Sequence, residues 1–227
     1  MEGTEPESRP EVALNPPPSA PPPAATQPPA APTAPAARAS TFPMRLEFEY
    51  PNQPSKLTFV KWILAIPQFI VLGLVGIVAY VMFIYAWLSV LITERYPRNA
   101  YDFLVGTARW ATRVYAYIFF MAEEYPPFSM DEIPSYPARF EPPPFPGESV
   151  PRAAALQVIL GIPAWIFAAI LVYIGELVAF VAGFAIIFTG EYPRGMYDFV
   201  VGALRAQART LVYVSMMTAE YPPFELD

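Results

Sequence analysis

From residue 62 to residue 93 the chain carries no charged side chain: "WILAIPQFIVLGLVGIVAYVMFIYAWLSVLIT". A second apolar run, residues 153–189, carries one, Glu176. A single membrane span needs about 20 residues. The first run is too long for one upright helix and short for two. Two arrangements fit it. One is a tight hairpin of two short spans, turning near "GLVG" at 73–76. The other is a single long helix, tilted and broken at Pro67 and, in the second run, at Pro163. Basic residues flank both ends of each run: Lys56, Lys61, Arg95 and Arg98 around the first, Arg152 and Arg194 around the second. Positive residues mark the cytoplasmic side, so a run with two basic ends reads as one that enters and returns. That favours the hairpin, with both termini and residues 94–152 cytoplasmic. On the hairpin reading Glu176 falls near the turn, in "YIGEL" at 173–177, where it meets water. The alternative is an intramembrane proton or cation site, which is expensive without a partner.

A different pattern follows each run. Tyr-Pro-Arg reverses the chain, and helices are expected over roughly residues 99–122 and 195–218. Asp102, Arg109 and Arg113 lie seven and four residues apart, on one helical face. Asp198, Arg205 and Arg209 repeat the spacing. The other faces are almost wholly apolar. Such an amphipathic helix can lie in the membrane interface with its arginines among headgroups, or pack its polar stripe against the other half. The arginines are candidates for anionic-lipid or inter-repeat contacts. Each helix is expected to stop at "EYPPF", residues 124–128 and 220–224, because Pro-Pro cannot continue a helix.

The recurrence is a duplication. Tyr96 matches Tyr192, Asp102 matches Asp198, Arg109 matches Arg205, Pro67 matches Pro163 and Phe128 matches Phe224, each 96 residues apart. Residues 55–131 align with 151–227 without a gap, with 25 of 77 positions identical. A looser echo precedes each copy, "PMRLE" at 43–47 and "PARFE" at 137–141, offset by 94. The organisation read from this is a tail over 1–42, a first membrane repeat over 43–131, a Pro-rich linker over 132–150 and a second membrane repeat over 151–227. Equal flanking charges give both halves the same orientation, so the repeats are expected to be parallel. The fold class is all-α integral membrane: two parallel tandem repeats, each a transmembrane hairpin or one long Pro-broken span, followed by an amphipathic interfacial helix.

Composition sharpens this picture in three ways. Of the 227 residues 55% are hydrophobic and 15% charged, with mean hydropathy +0.33, high for a soluble domain. The chain has no Cys and no His. That excludes disulfides, thiolate metal sites, Cys nucleophiles and Ser-His-Asp triads. No catalytic, cofactor-binding or metal-ligating residues are assigned. A net charge of −6 argues against nucleic acid as a partner. Residues 1–40 hold 12 of the 30 prolines and almost nothing to bury. They read as a disordered, polyproline-II-rich tail, lacking the basic start and apolar region of a signal peptide.

The frame "AIPQF … YPRNAYDFLVGTARW … YPPFSMD", with its second copy ending "YPPFELD", resembles the bacterial membrane family called domain of unknown function 4389, in two tandem copies. The resemblance implies a polytopic bacterial membrane protein and brings no catalytic or binding residues with it; the expected location is the inner (cytoplasmic) membrane. The second copy departs from the first at Ala206, where the first has Trp110, and at Glu176. The expected function is non-enzymatic: an accessory or scaffold subunit of a larger membrane assembly. The alternative is a binder or transporter of a lipid or small solute at the seam between repeats. The expected partners are the lipid bilayer, anionic headgroups and a membrane protein.

Overall fold

The structure, a computed structural model, describes residues 42–147 and 149–226. Of the tail read over 1–42, residues 1–41 lie outside the described residues, and Phe42 is buried in the core. Strand β1 (Arg45–Phe48) leads into α1 (Thr58–Leu64), α2 (Ile66–Thr93) and α3 (Arg98–Ile118). Strand β2 (Ala138–Glu141) and a 3₁₀ segment (Arg152–Leu156) lead into α4 (Gln157–Leu160), α5 (Ile162–Thr189) and α6 (Arg194–Val214). Among the described residues the fold is helical with one small two-stranded sheet.

Each apolar run is one long helix, not a hairpin. Helices α2 and α5 have 28 residues each and are long and apolar enough to cross a membrane. "GLVG" at 73–76 lies inside α2, and Glu176 lies near the middle of α5. The Leu, Ile, Val and Ala residues around those glycines keep the helix going where the run holds no turn residue besides Gly. The interruption occurs instead at Ala65 and Gly161, just before Pro67 and Pro163. A proline ring clashes with the carbonyl four residues back and donates nothing to it, so the helix restarts with Pro in its first turn. This matches the Pro-broken alternative. Gly161 is required here by a close approach: a Cβ would stand 2.5 Å from Val214 Cγ2.

The chain reverses through left-handed Glu94 and Gly190 (φ 57° and 79°). Ser89 Oγ then donates to the Arg95 carbonyl at 2.9 Å, and the connector runs back along α2. Helix α3 packs on α2, and α6 on α5, as antiparallel pairs. The amphipathic helix is thus the return leg of each repeat. Both return legs end four residues short of the expected helix ends at 122 and 218. Phe120 and Met216, again 96 apart, take φ of 62° and 58°. The N–H groups of Met121 and Met217 bond back to Ala116 and Val212, an αL closure that precedes Pro-Pro.

The two echo segments find each other. "PMRLE" forms β1 and "PARFE" forms β2, and they pair antiparallel with Arg45 opposite Glu141, Leu46 opposite Phe140 and Glu47 opposite Arg139. The segment read as linker therefore supplies a strand. Leu46 and Phe140 face inward, while the four charged residues are exposed. Exchanging the strands by a rotation normal to the sheet maps Arg onto Arg and Glu onto Glu.

The same rotation relates the helices. At one end, Val150 N donates to the Glu94 carbonyl at 2.8 Å and Arg152 pairs with Glu94 at 3.0 Å, so the second repeat begins where α2 ends. At the other end, Phe59 and Trp62 of the first repeat pack on Phe180 near the end of α5. Helix α2 consequently runs opposite to α5. The parallel arrangement expected from equal flanking charges is corrected: the helices of the repeats are antiparallel about an axis normal to the sheet. Their parts are also exchanged. The α1 segment packs on α5, the 3₁₀ segment on α2, β1 on α6 and β2 on α3.

Candidate functional site at the seam between the repeats

The arginine face of α3 and α6 turns into the protein. Arg113 is 2% exposed and donates to the carbonyls of Asp131 (2.9 Å) and Ser129. It clamps the chain that returns from "EYPPF" toward β2. Arg109 reaches the exposed Glu132 at 3.2 Å. In the second repeat Arg205 Nε donates to the Leu46 carbonyl of β1 at 3.1 Å, a contact between repeats, and Arg209 is 4% exposed. Asp102 pairs with Arg98 of its own helix at 3.1 Å, with both side chains mostly in the open. Asp198 is exposed. Burial lowers the Arg113 pKa, yet fixed carbonyl dipoles can hold a guanidinium as well as headgroups can.

With the arginines committed to one face, a second face of the same two helices is free to line a space. Ala108, Ala111, Thr112 and Tyr115 of α3 stand opposite Leu204, Gln207, Ala208 and Leu211 of α6. These are repeat-equivalent positions, each 96 residues apart. Between them lies a cavity of about 690 Å³. Leu46, Phe48 and Phe140 of the strands close one side of it, and Trp165, Ala168, Ala169, Val172, Tyr173 and Glu176 of α5 line another. Residues 165, 169, 172, 173 and 176 follow helical spacing, so one stripe of α5 faces the space. The volume is in the range of small-molecule pockets.

The lining is mostly apolar with a few polar groups. Glu176 is exposed at the middle of α5 and carries no ion pair among the described residues. The turn assignment for it is corrected, because α5 runs straight through. Tyr115 lies within its field: burial raises the Tyr115 pKa, and the Glu176 charge raises it further. The equivalent pair across the axis is Tyr80 and Leu211, so the chemistry is one-sided although the backbone is nearly symmetric. Sequence reasoning singled out Glu176 and missed Tyr115, Thr112 and Gln207. The available signal was the small-residue face at 108, 111 and 112, adjacent to the arginine face.

The two repeats also differ where the long helix meets its return helix. Gln68 and Trp110 bond to each other in the first, and Ala164 and Ala206 take both places in the second. Among the described residues no cluster of His, Asp or Glu suited to a metal ion occurs.

Neither a curated protein nor a solved structure matches the chain. A family model does, twice, over residues 55–130 and 151–225, which are the two halves that the 96-residue offset relates. The chain therefore belongs to the family described as Domain of unknown function (DUF4389), of which it carries two tandem copies.

Proposed function

We propose that this protein is embedded in a membrane and holds a lipid or lipid-like solute where its repeats meet. The observation that carries the reading is the seam cavity: about 690 Å³, walled by both return helices, mostly apolar, with Glu176, Tyr115, Tyr173, Thr112, Thr210 and Gln207 among its polar groups. Apolar space with a few convergent polar groups suits an amphiphile. The basic ends of both long helices support an inner (cytoplasmic) membrane with residues 94–152 on the cytoplasmic side. No nucleophile-and-base arrangement accompanies the cavity lining, so binding rather than turnover is the reading.

Lipid extraction and native mass spectrometry of the full chain, purified in mild detergent, test this. The wild type should retain a defined lipid, and Ala169→Trp and Ala208→Trp, at half-buried lining positions, should lose it while remaining folded. Equal lipid content in all three would overturn the reading.

A second reading, an accessory subunit of a membrane assembly, draws on α2. Only Gln68, Ala86 and Val90 of its 28 residues are buried, which leaves an apolar face that another membrane protein could cover. A stoichiometric protein partner in the same purification, with no bound lipid, would favour it.

A further inference from the structure

The long helices can meet a bilayer in two ways, across it or along it, and the distribution of charge decides between them. The sheet lies at mid-length of the helices. Leu46 accepts from Arg205, near the middle of α6, where Ala203 meets Gly175 at the middle of α5, and Leu46 and Phe140 share the cavity with Ala108, near the middle of α3. The outer face of that sheet carries Arg45, Glu47, Arg139 and Glu141, all exposed. Beside it Glu132 is exposed at the level of Arg109. If α2 and α5 ran across the bilayer, these charges would lie at its centre and face lipid, where charged side chains are costly and rare.

The layering offers another solution. The strands pack on α3 and α6, and those helices pack on α2 and α5. The rotation that relates the repeats is normal to the sheet, so α2 and α5 fall on the same side, away from the charged strands. Apart from Glu176, which lines the seam cavity, their large open residues make one apolar face: Ile63, Ile70, Leu74, Ile77 and Ile92 from the first repeat, with Ile159, Ile166, Ile170 and Leu177 among those of the second. Basic residues stand at both ends of both helices: Lys56, Arg95, Arg152 and Arg194, all exposed, with Arg152 paired to Glu94 and Glu191 close to Arg194 in sequence.

We infer that the protein sits in a single leaflet, with α1–α2 and α4–α5 lying along the membrane plane and the charged sheet facing water. The occupant of the apolar face is one leaflet of a bilayer with anionic lipid. An apolar face with cations at its rim is the pattern of helices that lie in the interface, and those cations meet anionic headgroups. This also resolves the conflict between two cytoplasmic ends and one uninterrupted helix, since a helix lying flat has both ends on one side. The inference stands apart from what the seam cavity holds.

The absence of cysteine makes the test direct. The full chain carrying Ile63→Cys, Ile77→Cys or Ile92→Cys, each at an exposed position, is labelled with an environment-sensitive fluorophore. It is then reconstituted into vesicles of phosphatidylcholine with a minority of phosphatidylglycerol. Quenching by lipids bearing quenchers at different depths reads the position of each label. Residue 63 lies near the end of α1 and residue 92 near the end of α2, and the stretch from 66 to 92 alone spans roughly 40 Å, more than a hydrocarbon core. A helix in the plane gives one common depth for the three labels. A helix across the membrane gives a deep label at 77 between two shallow ones, which would overturn the inference, as would absence of quenching at all three. Glu47→Cys supplies an independent reading: it should react with an impermeant thiol reagent as fast as Lys56→Cys, and shielding of position 47 alone would likewise overturn it.

Discussion

The indole N–H of Trp110 donates to the side-chain carbonyl of Gln68 across 2.9 Å, and both residues are buried. Gln68 in turn donates to the Pro126 carbonyl, and the Trp110 ring packs edge-on against Phe128. The pair thus ties α2, α3 and the "YPPF" segment of the first repeat together. Trp110→Phe keeps most of the ring but leaves the Gln68 oxygen without a donor, which costs about 1–3 kcal/mol. The double change Gln68→Ala with Trp110→Ala should cost less than the sum of its single changes, because the Gln68 oxygen is not left without its donor; the Pro126 carbonyl loses its donor equally in both Gln68 variants. Unfolding midpoints in detergent of the wild type, Trp110→Phe, the two single alanine changes and the double change check this.

Arg113 and Asp102 sit on the same helix in opposite circumstances. Arg113→Met removes a buried guanidinium from two carbonyls, and hydrogen bonds to charged groups contribute about 1.5–3 kcal/mol each. Asp102→Ala breaks only an exposed pair between residues four apart, worth about 0.3–0.5 kcal/mol. Chemical denaturation should separate the two by well over 1 kcal/mol; equal losses would show that the Arg113 clamp contributes little.

Lys61 is 5% exposed, bonded to the Ala122 carbonyl at 3.0 Å and to Glu123 at 2.7 Å. Its equivalent, Gln157, makes the matching bond to the Thr218 carbonyl at 3.1 Å. Burial lowers the Lys61 pKa from 10.5, against the opposing pull of Glu123. In the alkaline range the unfolded chain then holds more protons at this site, so stability rises with pH between the depressed folded value and 10.5. Lys61→Gln should fold, keep the carbonyl bond and lose that slope. The buried tyrosines act in the opposite sense. Burial raises Tyr96, Tyr136, Tyr192 and Tyr197 above 10.0, so their contribution is present below pH 10 and is lost above it. Melting curves compared below pH 10 therefore isolate Lys61.

Tyr115 and Glu176 share the seam cavity. Because the Glu176 charge adds to burial in raising the Tyr115 pKa, Glu176→Gln should bring the phenol down, though not to its ordinary value, since burial remains. The spectrophotometric titration of each protein minus that of its Tyr115→Phe counterpart isolates this group. An unchanged titration would mean that the two side chains do not sense each other.

Glycines divide by what surrounds them. A Cβ at Gly183 would stand 2.9 Å from the Phe120 ring and 3.1 Å from that of Phe59, whereas one at Gly76 would meet nothing within 4 Å. Gly183→Ala should destabilise by about 1–3 kcal/mol through overpacking. Gly76→Ala should stabilise by up to about 1 kcal/mol, the difference in helix propensity. Thermal midpoints of opposite sign are the expected result.

Periodicity and duplication determined much of this protein. Two apolar stretches, the Pro breaks, two amphipathic helices and the 96-residue offset are local facts, and local propensity realised each of them in its place. The cavity residue with the most conspicuous chemistry, Glu176, was legible as a lone charge in an apolar run. The tertiary structure decided everything that depends on which surfaces meet. A flanking charge does not reveal whether a chain returns through its own apolar run or through the helix after it, so the hairpin appeared in the wrong place. Spacing put Arg109 and Arg113 on one face, but only packing against residues 129–132 turned that face inward. "PMRLE" and "PARFE" are each too short to announce a strand, and they become strands by pairing with each other. That antiparallel pairing sets the relation of the repeats, because two equivalent strands can exchange hydrogen bonds in this register only about an axis normal to their sheet.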